Sequence, residues 1–315
     1  DVDACLNLYH ATKLPEFKTI LKIRSLLYKQ GILETEVDPD GRIRCSYNVV
    51  GSDTGRLSCA ASPTGTGYNL QTVTKKMRHL IRADSGYHFF QCDLAGADGW
   101  TVAAHCLNLG DPMMWDDYKA GLKPAKIIAR MVMAVQEALS KVLTRTATTQ
   151  REVMLEVAKY FNNLPRPDLK KLCNEVDQDG WLYFGSKRVQ HGTNYRMLPP
   201  TMSKQILKDS FKMTGEPIVV DIGTCDTIKT LYLHRYVGVP RWQQWVASTL
   251  RANESMSAAS GRLRRFFGRI HEGLGVNHET HNTACSNEPQ DNTTYACNLG
   301  LYNLWHDREN RNKRG

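Results

Sequence analysis

Two aspartates five residues apart, Asp93 and Asp98, stand at the junction between an apolar run and a second apolar run (Phe89-Phe90-Gln91-Cys92-Asp93-Leu94-Ala95-Gly96-Ala97-Asp98-Gly99-Trp100). A short buried strand that ends in a carboxylate and turns into a helix reads this way. Carboxylates at strand ends suit hard cations, because Mg²⁺ takes one or two anionic oxygens and leaves its other positions to water and phosphates. The plainer reading makes Asp93 a helix N-cap and Asp98 a first-turn acid favoured by the helix dipole. A second set, Lys187, His191 and Tyr195, recurs every four residues. On a helix these lie along one drifting face about 12 Å long, the span of a triphosphate, sugar and base. A lysine meets phosphate as a point charge, and the rings can stack on a base. Gly192 costs such a helix about 1 kcal/mol, tolerable where a backbone or base must approach closely. The plainer reading is an amphipathic helix with an exposed lysine and a half-buried tyrosine.

The positioning elements follow from pattern. Residues 14–31 carry Phe17, Ile20, Leu21, Leu26 and Leu27 at helical spacing, with Pro15 in the first turn and Gly31 at the C-cap. Residues 38–41 (Asp-Pro-Asp-Gly) form a turn, and residues 42–50 alternate as a strand does. A Gly-, Ser- and Thr-rich loop follows, then the basic run Lys75-Lys76-Met77-Arg78 leading to the Asp93 segment. Residues 126–161 read as mostly helical, broken at Pro165 and Pro167; Pro199 and Pro200 interrupt any helix there, and residues 202–214 resume one. From Ile218 short apolar runs with aromatics return, residues 262–269 form a basic patch interleaved with phenylalanines, and residues 280–305 read as a helix. The expectation is an α+β chain with a helical insertion over residues 111–230 and a cleft beside it.

Five motifs in order carry a resemblance: Thr54-Gly55-Arg56-Leu57-Ser58; Asn69-Leu70-Gln71; the Asp93 to Asp98 segment; Lys187-x3-His191-Gly192-x2-Tyr195; and Pro289-Gln290-x2-Thr293. Together they resemble the family A DNA polymerases, the relatives of bacterial DNA polymerase I, with residues 113–126 similar to phage-type members. The resemblance implies a right-hand architecture. Residues 1–50 would lead from a mostly absent thumb, 51–110 and 231–315 would be two parts of a palm sheet, and 111–230 would be the fingers. It implies transfer of a nucleotide from a dNTP to a primer 3′-hydroxyl with two Mg²⁺ ions about 3.5–4 Å apart. Asp93 with the Leu94 carbonyl would hold metal. Asp98, where the family usually has Glu, would exclude a ribose 2′-hydroxyl, with about 1.5 Å less reach. Lys187 would bind the triphosphate, His191 would lie beside the sugar and base, and Tyr195 near the templating base. Arg56 and Gln290 would touch the primer–template minor groove, whose acceptors recur at every correct pair; Arg78 joins this DNA-contacting set.

There are departures. Tyr183 stands where the family usually has an arginine, with Arg188 as a substitute to be weighed, and Arg196 stands where a glycine often follows the tyrosine. The second metal-binding aspartate is expected some thirty residues after Gln290; Asp307, in His306-Asp307-Arg308-Glu309, comes too early and leads into a polar tail. The expectation is therefore an incomplete palm, completed by a second polymerase chain or belonging to a fragment. A single-subunit RNA polymerase and a catalytically silent nucleic-acid-binding subunit are the competing readings.

Composition bounds the partners. The 315 residues carry a net charge of +9, which favours a polyanion such as primer–template DNA. No run of 18 apolar residues is present, so no membrane helix is expected. Nine scattered cysteines without a C-x-x-C pair fit a reduced, cytoplasmic compartment (a host's, if viral) better than a disulfide framework or zinc ribbon.

Overall fold

The computed structural model describes residues 2–49, 51–142, 149–267, 270–271, 275–276 and 278–312. The chain divides into a smaller unit, Asp1–Ala95 with Thr294–Gly315, and a larger one, Gly96–Thr293.

The smaller unit opens with α1 (Val2–Thr12) and α2 (Pro15–Leu33). Pro15 starts α2 as expected, but Gly31 lies inside it and Glu34 is the C-cap. The Asp38 turn closes with Gly41 N–H donating to the Asp38 carbonyl at 2.8 Å. β1 (Cys45–Asn48) then pairs antiparallel with β2 (Ser58–Ala61), Tyr47 opposite Cys59. Two single turns of 3₁₀-helix follow, Leu70–Thr72 and Arg78–Leu80. The expected strand before Asp93 does not form. Phe89 and Phe90 are 70% and 89% exposed, and no strand lies beside them among the described residues. A lone extended run has no ladder for its backbone groups, so its apolar composition alone cannot hold it as a strand.

The larger unit is a helical bundle: α3 (Ala97–Asn108), α4 (Met113–Lys119), α5 (Pro124–Val142), α6 (Gln150–Asn163), α7 (Arg166–Asn174), α8 (Trp181–Asn194), α9 (Pro199–Thr214), α10 (Ile222–Arg235) and α11 (Gly238–Asn253). Two antiparallel hairpins follow, β3 (Ser255–Ser257) with β4 (Leu263–Arg265) and β5 (Ile270–His271) with β6 (Gly275–Val276). Helix α12 (His278–His306) runs across the boundary between the units, and α13 (Arg308–Asn312) follows. Helix α5 is central because Ile127, Ile128, Met131, Val132 and Val135 repeat on one face. They pack in a core with Phe161, Leu169, Val189, Ile206, Ile228, Leu231 and Tyr232. Thr149 and Glu152 close a capping box on α6.

Three expectations change here. Pro199 starts α9 instead of blocking a helix, since a first-turn proline lacks only an N–H that has no helical partner anyway. The apolar runs after Ile218 are α10 and α11: Cys225, Ile228, Leu231 and Tyr232 are buried at helical spacing. The β-structure is confined, among the described residues, to three two-stranded hairpins rather than one broad sheet. The chain is mostly helical with small sheets, an α+β composition.

A buried ion pair fastens the bundle. Asp117, fully buried on α4, accepts hydrogen bonds from Arg235 (2.7 and 3.0 Å) and from the Tyr236 hydroxyl (2.9 Å). Arg235 also donates to the Phe161 carbonyl at 3.0 Å, so one guanidinium ties α10 to α4 and α6.

Candidate nucleotide site on the larger unit

Helix α8 is the platform. Its inner face is buried through Gly185, Val189, Gly192, Thr193 and Asn194, while Lys187 and His191 are exposed and Tyr195 is half-buried. The four-residue spacing thus puts the three side chains on one outward face, as the sequence suggested. The His191 and Tyr195 rings meet edge to face with centroids 4.6 Å apart.

The end of α8 is fixed with care. Arg196 takes a left-handed conformation (φ 60°), its N–H donates to the Thr193 carbonyl at 3.0 Å, and Met197 N–H donates to the Gly192 carbonyl at 2.8 Å. This is a Schellman ending, which usually carries glycine at the left-handed position. The reason for Gly192 is local packing: a Cβ there would lie 3.3 Å from the Met197 side chain and 3.4 Å from Met202. Gln243 on α11 donates to the Thr193 and Asn194 carbonyls at 2.7 and 3.1 Å, and the Tyr232 hydroxyl donates to Asn194 Oδ1 at 2.7 Å. The His281 ring bonds the Gln243 carbonyl at 2.7 Å through Nε2, and burial pushes that imidazole down to about 4.

Asp98 lies in the first turn of α3, where the N-cap residue is Gly96 at φ 69° with no side-chain cap. Its carboxylate reaches away from its own helix. Oδ2 accepts from the Tyr195 hydroxyl at 3.0 Å and Oδ1 from the Thr293 hydroxyl of α12 at 2.7 Å. Three helices therefore meet at one carboxylate. Nearby, Tyr118 stacks on Trp100 with centroids 4.9 Å apart, and Gln190 donates to its oxygen at 3.4 Å. Burial pushes the Tyr118 phenol up to about 12, and the Gln190 hydrogen bond acts the other way. Burial also raises the Tyr183 phenol. Arg188 is engaged elsewhere: it pairs with Asp209 at 3.1 Å and lies 5.4 Å over the Phe184 ring.

Gln290 lies half-buried on α12, one turn before Thr293. The arginines of the basic patch divide in use. Arg262 pairs with Asp291 at 3.1 Å, and Arg264 donates to Asn287 at 2.8 Å, so both hold the β3–β4 hairpin to α12. Arg265 and Phe267 are exposed; Arg269 lies outside the described residues.

The other sequence-predicted residues belong to the smaller unit. Asp93 is an exposed carboxylate beside an exposed Leu94. Arg56 is exposed, its N–H bonded to Ser52 Oγ at 2.8 Å. Gln71 donates to the Leu57 carbonyl at 2.8 Å, so two of the sequence motifs meet at this loop. Arg78 bonds Gln91 Oε1 at 2.7 Å, tethering the segment before Asp93. Asp307 accepts from Glu309 N–H at 2.8 Å at the start of α13, the geometry of a cap. No group of three or more metal-ligating side chains occurs among the described residues. Asp93 fits as one carboxylate of a Mg²⁺ site but is too few ligands for two ions. No helix among the described residues is long and apolar enough to cross a membrane.

The role of Thr293 at Asp98 escapes sequence reasoning, because 195 residues separate the two; its place three residues after Gln290 in a recognised motif was the one available signal.

No family model matches the chain, and no curated protein sequence matches it. Among solved structures, it is similar to the POL domain of Pol1 from M. smegmatis, in complex with DNA primer-template and dNTP. The TM-score is 0.63 at 18% sequence identity, over 96% of this chain. The chain spans 45% of the length of that structure. The likeness is one of fold, and the fold is that of part of a DNA polymerase domain.

Proposed function

We propose that this chain is the nucleotide-selecting part of a template-directed DNA polymerase that transfers nucleotides from dNTPs to a primer 3′-hydroxyl. The observation that carries the reading is the Asp98 carboxylate, held by Tyr195 at 3.0 Å and Thr293 at 2.7 Å beside the exposed face of α8 that bears Lys187 and His191. That arrangement offers a cation for a triphosphate, rings for a sugar and base, and a fixed acid against a 2′-hydroxyl. In this reading residues 111–230 are the fingers of a phage-type family A enzyme. Asp93 and the Leu94 carbonyl would hold Mg²⁺, which would supply positive charge at the reacting phosphate. Arg56, Arg78 and Gln290 contact primer–template DNA. In this reading a further carboxylate comes from a second polymerase segment or chain.

Primer extension on primed DNA with Mg²⁺ and dNTPs, using the chain alone and in an extract of its source, tests this. The expected result is incorporation in the extract, little from the chain alone, and loss on Asp93→Ala. Salt-sensitive DNA binding without incorporation, indifferent to Asp93→Ala, would instead support a binding subunit, a reading favoured by the net charge of +9.

A further inference from the structure

We infer that Thr293 is a positioning residue that sets the reach of Asp98 and thereby the choice between deoxyribose and ribose, an inference that rests on the nucleotide-site reading above. A carboxylate on a single methylene stem at the start of a helix can swing about χ1 and χ2, and both Asp98 oxygens accept their hydrogen bonds from other helices. The Tyr195 bond alone fixes one oxygen and leaves the other free to rotate about it. The Thr293 bond fixes the second oxygen from a different helix, at the shorter distance of 2.7 Å. The two hydroxyls thus hold the carboxylate at both ends.

The chemistry of Thr293 sharpens the point. Its Oγ1 also lies 2.9 Å from the Pro289 carbonyl, its own helical acceptor one turn back. A hydroxyl has one proton to donate, and the charged, closer carboxylate is the stronger acceptor. Threonine in mid-helix commonly spends its proton on the i−4 carbonyl; here the geometry offers that proton to an acid on α3. A shorter acid gains from α12 the orientation that its own stem cannot supply. With one lone pair on each oxygen taken by a hydroxyl, the remaining pairs keep a fixed direction.

The test is equilibrium binding of a dNTP and the matching rNTP to the chain on primer–template with Mg²⁺, read as the ratio of the two dissociation constants, so that turnover is not required. Thr293→Val removes only the hydroxyl, and Thr293→Ser keeps it. The expected result is that Thr293→Val reduces the deoxy-over-ribo preference by about tenfold, mainly by tightening rNTP binding. Thr293→Ser should stay within about twofold of the parent. Asp98→Ala should relax the preference at least as far as Thr293→Val. An unchanged ratio in Thr293→Val, alongside a relaxed ratio in Asp98→Ala, overturns the role of Thr293 while leaving the site in place. Equal weakening of both nucleotides also overturns it, since that is a purely structural effect. Absence of nucleotide binding by the parent chain overturns the site reading itself and this inference with it.

Discussion

At the scale of residues, the end of α8, which carries the proposed nucleotide site, rests on the buried polar groups Asn194, Tyr232 and His281. His281 is the most informative titratable one. Its ring nitrogen bonds the Gln243 carbonyl, and Gln243 in turn holds the last carbonyls of α8. Burial lowers the imidazole to about 4 against an ordinary 6.5, so the fold keeps it neutral. Above pH 6.5 folded and unfolded chains are both neutral there, and His281 makes no pH-dependent difference. Between pH 6.5 and 4 the unfolded chain takes up a proton that the fold refuses, so stability falls as pH falls. Denaturant unfolding should therefore lose on the order of 1 kcal/mol from this group between pH 7 and pH 5.5. His281→Gln should be less stable at pH 7 yet flatter in its pH dependence; a parallel pH slope in the variant would remove His281 from the account.

At the scale of elements, helices were legible in the sequence where burial repeats every three to four residues. Helix α5 and the Lys187–His191–Tyr195 face of α8 follow directly from spacing. The run before Asp93 misled, because a strand is a property of two segments and Phe89-Phe90 names only one. The Asp98 clamp was likewise illegible: its partners lie 97 and 195 residues away, and nothing local marks a hydroxyl for a distant acid. The residue after Tyr195 was legible as an oddity and has a physical explanation. Arg196 occupies a left-handed position at φ 60°, which costs a residue with a Cβ about 1 kcal/mol relative to glycine. One of its guanidinium nitrogens, Nη1, is also buried without a hydrogen-bond partner. Arg196→Gly should thus raise stability by roughly 0.5–1 kcal/mol, seen as a higher denaturant midpoint at unchanged slope. A lower midpoint would mean that the arginine stem contributes more by packing than the backbone gains.

At the scale of the whole molecule, the two units differ in how much they bury. In the smaller unit Leu6, Leu21, Cys59 and Val73 are the buried apolar side chains among the described residues. The same unit exposes Ile20, Ile23, Leu26 and Leu27 along α2 and both phenylalanines before Asp93. The larger unit holds a continuous core from Val102 to Cys285, reinforced by the Asp117–Arg235 pair. Burial of apolar surface is the main favourable contribution to folding, so local opening should be far easier in the smaller unit. Native-state hydrogen exchange reads this directly. Amides of α2 should exchange on the order of a hundredfold faster, relative to their unfolded rates, than those of α5, α8 and α10. The residues of the proposed function divide the same way: Lys187, His191, Tyr195 and Asp98 stand on the well-buried unit, whereas Asp93, Arg56 and Arg78 stand on the lightly buried one. If Arg56 and Arg78 contact primer–template DNA as proposed, adding that DNA should slow exchange in the segment before Asp93, because openings there would release the ligand. Equal protection of both units without DNA would show that the smaller unit draws its stability from something other than its own buried side chains.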